Sequence, residues 1–376
     1  MKIRYCGSAL DYSGYGEANR HDIAALVNAG VNVTTQLPRF THELADYGEL
    51  GELARSLENK DIGYKIKILH ITPNIYPQYF EEGIYHIGRV FWETDQLPLD
   101  FAQNVQLLDE IWTGSEHNRQ CIIKSGVTKP VYIIPEAIDT SIDPLSFKPY
   151  LTAADRDGFK FYSIFEWTER KNPKALLKAY WQEFGADDKV SLTIKTYVDN
   201  FRPEKKQLIK KQIMQVKHEL GLSSYAPVYI YSNLLNRSQM YRFHRSFDCF
   251  VSAHRGEGWG IPQMEAMLMN KPVISTNCGG VHEYIGKAKD VQLIDYSLVR
   301  VQTDRNPNWY TMQQKWAEID IAGLQEAMRK AYNHGSKKYT GVIGADIVKE
   351  KFSFKAVGQQ MAKRLKEIQK DLEPVV

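Results

Sequence analysis

The stretch from Phe247 to Thr276 constrains the fold more than any other part of the chain. It runs as a short apolar segment ending in small residues (Phe247-Asp248-Cys249-Phe250-Val251-Ser252-Ala253), then a turn with three glycines in five residues (Gly256-Glu257-Gly258-Trp259-Gly260). A helical pattern opened by Pro262 follows, and then a second apolar segment, Lys271-Pro272-Val273-Ile274-Ser275-Thr276. Strand, glycine turn, helix, strand is the order of a parallel α/β unit, in which ligands bind beyond the carboxyl ends of the strands. Glycines let the backbone approach a ligand closely, and proline suits the first helical turn, where its missing N–H would go unpaired in any case. The free N–H groups and positive dipole end of such a helix favour an anion such as a diphosphate.

Two carboxylates sit eight residues apart in this stretch. Glu257 is expected in the loop before the helix and Glu265 in its first turn, both directed into one cleft. Carboxylates accept hydrogen bonds from hydroxyls, and a sugar nucleotide offers hydroxyls on two rings, so one glutamate is assigned to the donor sugar and the other to the ribose. Either glutamate alone reads equally well as a loop cap or a solvated first-turn acid. The pair inside this loop carries the assignment.

The alternation extends through the chain. Ile3 to Gly7, Val31 to Thr35, Lys67 to Ile71, Tyr85 to Phe91, Glu110 to Thr113 and Val131 to Pro135 read as buried strands, with helices such as Glu17 to Ala29 and His117 to Ser125 between them. A Pro- and Asp-containing segment from Ala137 to Pro149 ends this half. The pattern restarts with strands at Phe159 to Phe165 and Val190 to Lys195 and helices at Pro173 to Phe184 and Glu204 to Leu220. Strands at Val228 to Ser232, Cys249 to Ala253 and Val273 to Thr276 complete a second sheet. The expected fold class is α/β, two doubly wound, Rossmann-like domains, divided as residues 1–148 and 149–353. A chain of 376 residues exceeds one ordinary core and fits two domains of roughly 150 to 200 residues.

A net charge of +3 gives no strong sign of a nucleic-acid partner, since such domains usually concentrate far more basic charge, and it does not exclude one. Two basic stretches, Lys205 to Lys211 and Lys349 to Lys370, would suit peripheral contact with an anionic membrane face. Acidic residues interspersed in both make a solvated helix face the plainer reading. Cys6, Cys121, Cys249 and Cys278 are scattered without zinc or disulfide spacing, so reduced thiols are expected. The chain opens on a strand rather than a signal peptide, and no run approaches the roughly 20 apolar residues of a membrane span. A cytoplasmic protein is the expectation.

The segment Glu257-Gly258-Trp259-Gly260-Ile261-Pro262-Gln263-Met264-Glu265-Ala266-Met267, followed by Pro272-Val273-Ile274, resembles the donor-site signature of retaining glycosyltransferases of the GT-B fold, family 4. The resemblance implies two Rossmann-like domains facing a cleft, an acceptor-side first half, and a last helix, about 354–376, crossing back onto it. It implies transfer of a sugar from a nucleoside diphosphate, UDP- or GDP-linked, to a hydroxyl acceptor, with no cofactor and no metal. That acceptor ranges from an envelope glycan to a hydroxymethylated nucleic-acid base.

The same resemblance distributes roles over the chain. Gly14 and Gly16, in the turn Ser13-Gly14-Tyr15-Gly16-Glu17, would lie over the diphosphate. In Phe165-Glu166-Trp167-Thr168-Glu169-Arg170-Lys171-Asn172, Lys171 matches the lysine that neutralises the leaving diphosphate. Glu166 stands where the family often has an arginine, which leaves Arg170 as the substitute charge. Fixed positive charge there lowers the barrier, because departure of the leaving group builds negative charge on the β-phosphate. Catalytic roles fall to Glu257, Lys171 and Glu93, the last in Phe91-Trp92-Glu93-Thr94-Asp95, where relatives carry a histidine. Donor binding falls to Gly14, Gly16, Arg170, Lys171, Asn233, Leu234, Glu257, Gly258, Trp259, Gly260 and Glu265. Ser115 is expected to cap a helix from which His117 or Arg119 reaches phosphate, His117 reading more plainly as a surface first-turn histidine, and Trp92 either stacks on a sugar or joins the core. Asp155-Arg156-Asp157, the one Asp-x-Asp, precedes a strand and is not placed as a metal ligand set. A GT-B sugar-nucleotide epimerase and a catalytically degenerate partner subunit are the alternatives, the latter prompted by Glu166.

Overall fold

The computed structural model describes residues 1–40, 47–150, 158–285, 288–303, 305–335, 337 and 343–372. The chain divides into two compact units, Met1–Ile142 with Val348–Val376, and Asp143–Ile347.

In the first unit, strands β1 (Lys2–Gly7), β2 (Asn32–Gln36), β3 (Ile66–His70), β4 (Tyr85–Arg89), β5 (Glu110–Thr113) and β6 (Val131–Ile133) form a parallel sheet in the order β2-β1-β3-β4-β5-β6. Helices α1 (Gly14–Asn28), α2 (Gly48–Ser56), α3 (Leu99–Val105) and α4 (Glu116–Lys124) intervene. β3 is buried at every position, as a parallel strand covered on both faces must be. Its run of Ile66, Ile68 and Leu69 carries most of that burial, while Lys67 is buried with its ammonium on Glu81 and the Tyr79 carbonyl.

The second unit repeats the plan. β7 (Phe159–Glu166), β8 (Val190–Tyr197), β9 (Val228–Tyr231), β10 (Cys249–Ser252), β11 (Val273–Thr276) and β12 (Val291–Ile294) run parallel in the order β12-β11-β10-β7-β8-β9. This is the doubly wound order of a dinucleotide-binding fold. Helices α5 (Pro173–Glu183), α6 (Pro203–Leu220), α7 (Arg237–Arg245), α8 (Ile261–Leu268), α9 (His282–Ile285) and α10 (Ile321–His334) accompany it. Phe161, Leu176, Tyr180, Leu192, Ile194, Val251 and Met328 stand in its core. An antiparallel hairpin, β13 (Tyr296–Arg300) and β14 (Lys315–Ile319), is added after β12. Both β12 and this hairpin extend the expected set of strands.

After α11 (Gly344–Lys351), helix α12 (Phe354–Leu372) packs on α1 in the first unit. Val357, Met361, Leu365 and Ile368 enter the same core as Ile3, Ile23, Leu26 and Ile68. The contact is close because Gly358 carries no side chain. A Cβ there would stand 2.1 Å from the Ala25 carbonyl oxygen.

Under the first sheet lies a buried ion network. Asp22 receives Arg89 Nε at 2.8 Å and Nη2 at 3.0 Å, with His70 Nδ1 at 3.3 Å and the Tyr5 hydroxyl at 3.2 Å. Burial works to raise the Asp22 carboxyl, but the Arg89 guanidinium outweighs it and holds the group far below the ordinary carboxylate range. Burial lowers the His70 pKa against the pull of the Asp22 carboxylate beside it.

Candidate functional site

The strand order of the second sheet reverses between β7 and β10. Loops leaving two adjacent strands diverge at such a point and leave the crevice where open α/β sheets take ligands. Here the loops are residues 167–172 after β7 and 253–260 after β10, and they carry Lys171 and Glu257.

The two loops are bonded together. Lys171 Nζ lies 2.5 Å from Glu257 Oε1, and Arg170 Nη1 lies 3.5 Å from Glu257 Oε2. Arg170 also donates to the Gly256 carbonyl at 2.8 Å, and the Arg255 N–H donates to the Arg170 carbonyl at 2.7 Å. Glu257 is 6% exposed. Burial alone would raise its carboxyl; Lys171 first, with His254 and Arg170, holds it down to about 2. The cations at the start of α5 are thus matched by a carboxylate of the chain itself. Glu318 on β14 braces both loops, accepting from Asn172 Nδ2 at 3.2 Å and from Arg255 Nη2 at 2.7 Å.

A third loop fixes the glycine turn. Gly279 has φ +85°, and a Cβ on it would fall 2.3 Å from the Glu257 carbonyl oxygen; one on Gly280 would fall 2.2 Å from that of Gly258. The Gly280 N–H donates to the Glu257 carbonyl at 3.0 Å. Gly260, at φ +98°, is the N-cap of α8, a left-handed conformation open to glycine. The Tyr284 hydroxyl is 2.9 Å from the Trp259 carbonyl and 2.8 Å from that of Gly260. The Trp259 ring is buried against Tyr284, with ring centres 5.2 Å apart.

α8 begins at Ile261, so Glu265 stands in its second turn and not its first. Its partners differ from those of Glu257: Arg237 Nη1 bonds to Oε1, and His244 Nε2 lies 3.4 Å from Oε2. His244 Nδ1 is 2.8 Å from the Tyr162 hydroxyl, and burial lowers its pKa against the pull of Glu265. Arg237 was not singled out from the sequence. Its signal is the capping box Asn236 and Gln239, which starts α7 and sets Arg237 in the first turn.

Glu166, the last residue of β7, lies 2.5 Å from Arg305 Nη2, and Arg305 also bonds to Asp199. The loop between the hairpin strands therefore brings a guanidinium to the place of the expected arginine, with its charge already matched. Asn233 and Leu234 are exposed after β9, where Lys206 Nζ reaches Asn233 Oδ1 at 3.4 Å.

Gly14, Gly16 and Glu93 belong to the first unit. The glycines do not form a loop: Ser13 caps α1, accepting from the Gly16 N–H, and both lie in the first helical turn. Gly16 is required there because a Cβ would fall 2.0 Å from the Asp11 carbonyl oxygen. Glu93 is half-buried on the loop after β4. Trp92 is core, packed edge-on to Phe101 with its indole N–H on Thr94 Oγ1 at 2.7 Å. Ser115 caps α4, accepting from the Asn118 N–H, and Arg119 pairs along the helix with Glu116 at 3.3 Å. Asp155-Arg156-Asp157 lies outside the described residues. Among the described residues no three His, Cys, Asp or Glu side chains gather as metal ligands, and no helix is long and apolar enough to cross a membrane.

Residues 153–297 match the family described as glycosyl transferases group 1. No curated protein sequence matches the chain. Among solved structures, the chain is similar to a sucrose-phosphate synthase from Thermosynechococcus elongatus, with 14% identity, 99% of this chain and 100% of that one covered, and a TM-score of 0.66. It is similar to Anabaena HepE in complex with UDP-glucose at 14% identity, with coverage of 98% and 100% and a TM-score of 0.66. A glycosyltransferase from Rickettsia africae matches at 12% identity, with coverage of 98% and 99% and a TM-score of 0.64. The two parallel sheets and these neighbours give the chain the GT-B fold, and its second unit carries the stretch that matches glycosyl transferases group 1.

Proposed function

We propose that the protein is a retaining glycosyltransferase of the family 4 type, moving a sugar from a nucleoside diphosphate to a hydroxyl acceptor without metal or cofactor. The observation that carries this reading is the meeting of Lys171, Arg170 and Glu257 at the strand-order reversal of the second sheet, beside the N-terminus of α8. Glu257, held ionised and buried, accepts hydroxyl hydrogens of the donor sugar; Glu265 accepts those of the ribose. Lys171 and the turn Gly258 to Gly260 face the leaving phosphate, with Asn233 and Leu234 at the base. HepE, solved with UDP-glucose, supports a sugar nucleotide as the donor.

In the reaction, the bond from the anomeric carbon to the phosphate oxygen breaks as the acceptor oxygen bonds to the same face. The acceptor proton passes to the departing phosphate oxygen, and the nucleoside diphosphate leaves. Lys171 offsets the charge that develops there. The first unit is assigned acceptor recognition, with Glu93 as its carboxylate and the first turn of α1, with Gly14 and Gly16, as its anion-facing end. The four buried, unpaired cysteines fit a reducing cytoplasm. α6 exposes Leu208 and Met214 among its lysines, apolar groups that a peripheral membrane contact would use.

The test is a metal-free donor screen with UDP-, GDP-, ADP- and dTDP-sugars, following thermal stabilisation and nucleotide release. One donor is expected to stabilise the protein and to be slowly hydrolysed, with both effects lost in Glu257→Ala and Lys171→Ala. Failure of every donor to bind, or binding that survives both substitutions, overturns the reading.

A further inference from the structure

Two lysines are buried among the described residues, Lys67 at 1% exposure and Lys195 at 5%. Lys67 donates to Glu81 Oε1 at 2.5 Å and to the Tyr79 carbonyl at 2.8 Å. Lys195 has no hydrogen-bond or ion-pair partner among the described residues; its ammonium lies 5.6 Å from the centre of the Phe201 ring. A buried cation without a counter-ion costs free energy, and a core position in a strand is otherwise filled by an apolar side chain.

Its direction follows from the sheet. Lys195 is in register with Ile164 of β7 and Tyr231 of β9, near the carboxyl end of β8. Phe201 comes after that end, so the side chain reaches toward the carboxyl edge, where this class of sheet takes its ligand. Glu265 is near enough to act on it: burial lowers the Lys195 pKa to about 8, and Glu265 opposes the shift. The Glu265 oxygens are taken by Arg237 and His244.

We propose that Lys195 is a ligand of the donor's α-phosphate, supplying the cation that position 166 does not. The inference rests on the donor-site reading above and assigns a residue that reading leaves out. A diphosphate carries charge on each phosphate, yet Glu257 already cancels one of the pair Lys171 and Arg170, and Arg305 is matched by Glu166 and Asp199. Lys171 stands beside Glu257, the donor-sugar carboxylate, and Lys195 near Glu265, the ribose carboxylate. The α-phosphate is the one on the ribose side. An ammonium with no hydrogen-bond or ion-pair partner among the described residues, facing only the Phe201 ring, then gains a charged hydrogen bond on binding.

The test is calorimetric binding of uridine, UMP and UDP, and of guanosine, GMP and GDP, to the full chain and to its Lys195→Met and Lys195→Arg variants. Methionine preserves the apolar stem against Phe201, and Lys195→Gln replaces it if that variant does not fold. Loss of about tenfold to hundredfold in affinity for mono- and diphosphate in Lys195→Met, with the nucleoside unchanged and Lys195→Arg within a few-fold of the parent, is expected. Equal weakening of nucleoside and nucleotides, or unchanged UDP and GDP affinity in Lys195→Met, overturns the inference and leaves the donor-site reading standing. Absence of any nucleoside diphosphate binding by the unsubstituted protein overturns both.

Discussion

Glu257 is a buried carboxylate that two cations keep ionised, and this sets both its chemistry and its pH response. Its folded pKa lies below the ordinary value, so the folded chain binds fewer protons than the unfolded one as acid is added. The stability it confers is complete above the ordinary carboxylate range and is lost as pH falls toward about 2. Melting temperature measured from about pH 5 to about pH 2 is therefore expected to fall less steeply in Glu257→Gln than in the parent chain. The same variant is expected to lose about 10²- to 10³-fold in kcat for sugar transfer, because a neutral amide no longer holds Lys171 at 2.5 Å. At this scale the sequence was informative where chemistry is local. Glu257, Lys171 and Arg170 were legible because each lies in a short motif with its own spacing. Arg237, Glu318 and Arg305 were not, since each meets its partner only after distant strands are brought side by side. Lys195 was hidden for the opposite reason, as one lysine inside an otherwise ordinary strand.

At the scale of elements, the glycine turn is shaped as much by its neighbour as by itself. Gly279 and Gly280 follow β11 and press on the backbone of Glu257 and Gly258, so the loop that carries the glutamate is fixed from the adjoining strand. Gly280→Ala places a Cβ 2.2 Å from a backbone oxygen, where no flexible side chain can yield. Chemical denaturation is expected to show a loss of about 2–3 kcal/mol. Strands were readable from short apolar runs bounded by turn residues, and boundaries moved by a residue or two. β13 escaped that reading because its positions are mostly exposed and carry no buried pattern. The first turn of α1 escaped it because two glycines resemble a loop, whereas the Ser13 cap and the tight approach to Asp11 make them helical.

At the scale of the molecule, the chain leaves the first unit at Ile142 and returns to it at Val348. α12 is bound to that unit by apolar side chains and by the gap at Gly358, not by its place in the sequence. Gly358→Leu is expected to lift α12 from α1. Hydrogen exchange should then quicken in α12 and α1 and stay unchanged in β7 to β12; protection of α12 equal to the parent's would contradict the packing described. Two α/β halves were evident from the alternation of strands and helices, whereas the pairing of α12 with α1 is written in shape, which no period in the sequence records. That pairing also inverts the order of maturation on the ribosome. The first unit lacks one of its own helices until the whole second unit has been synthesised, so the second unit can reach its native state while the first still exposes the apolar flank of α1. A nascent chain stalled before Phe354 would carry both sheets complete but the first unit without the helix that covers α1, which makes that flank a natural place for a chaperone to hold.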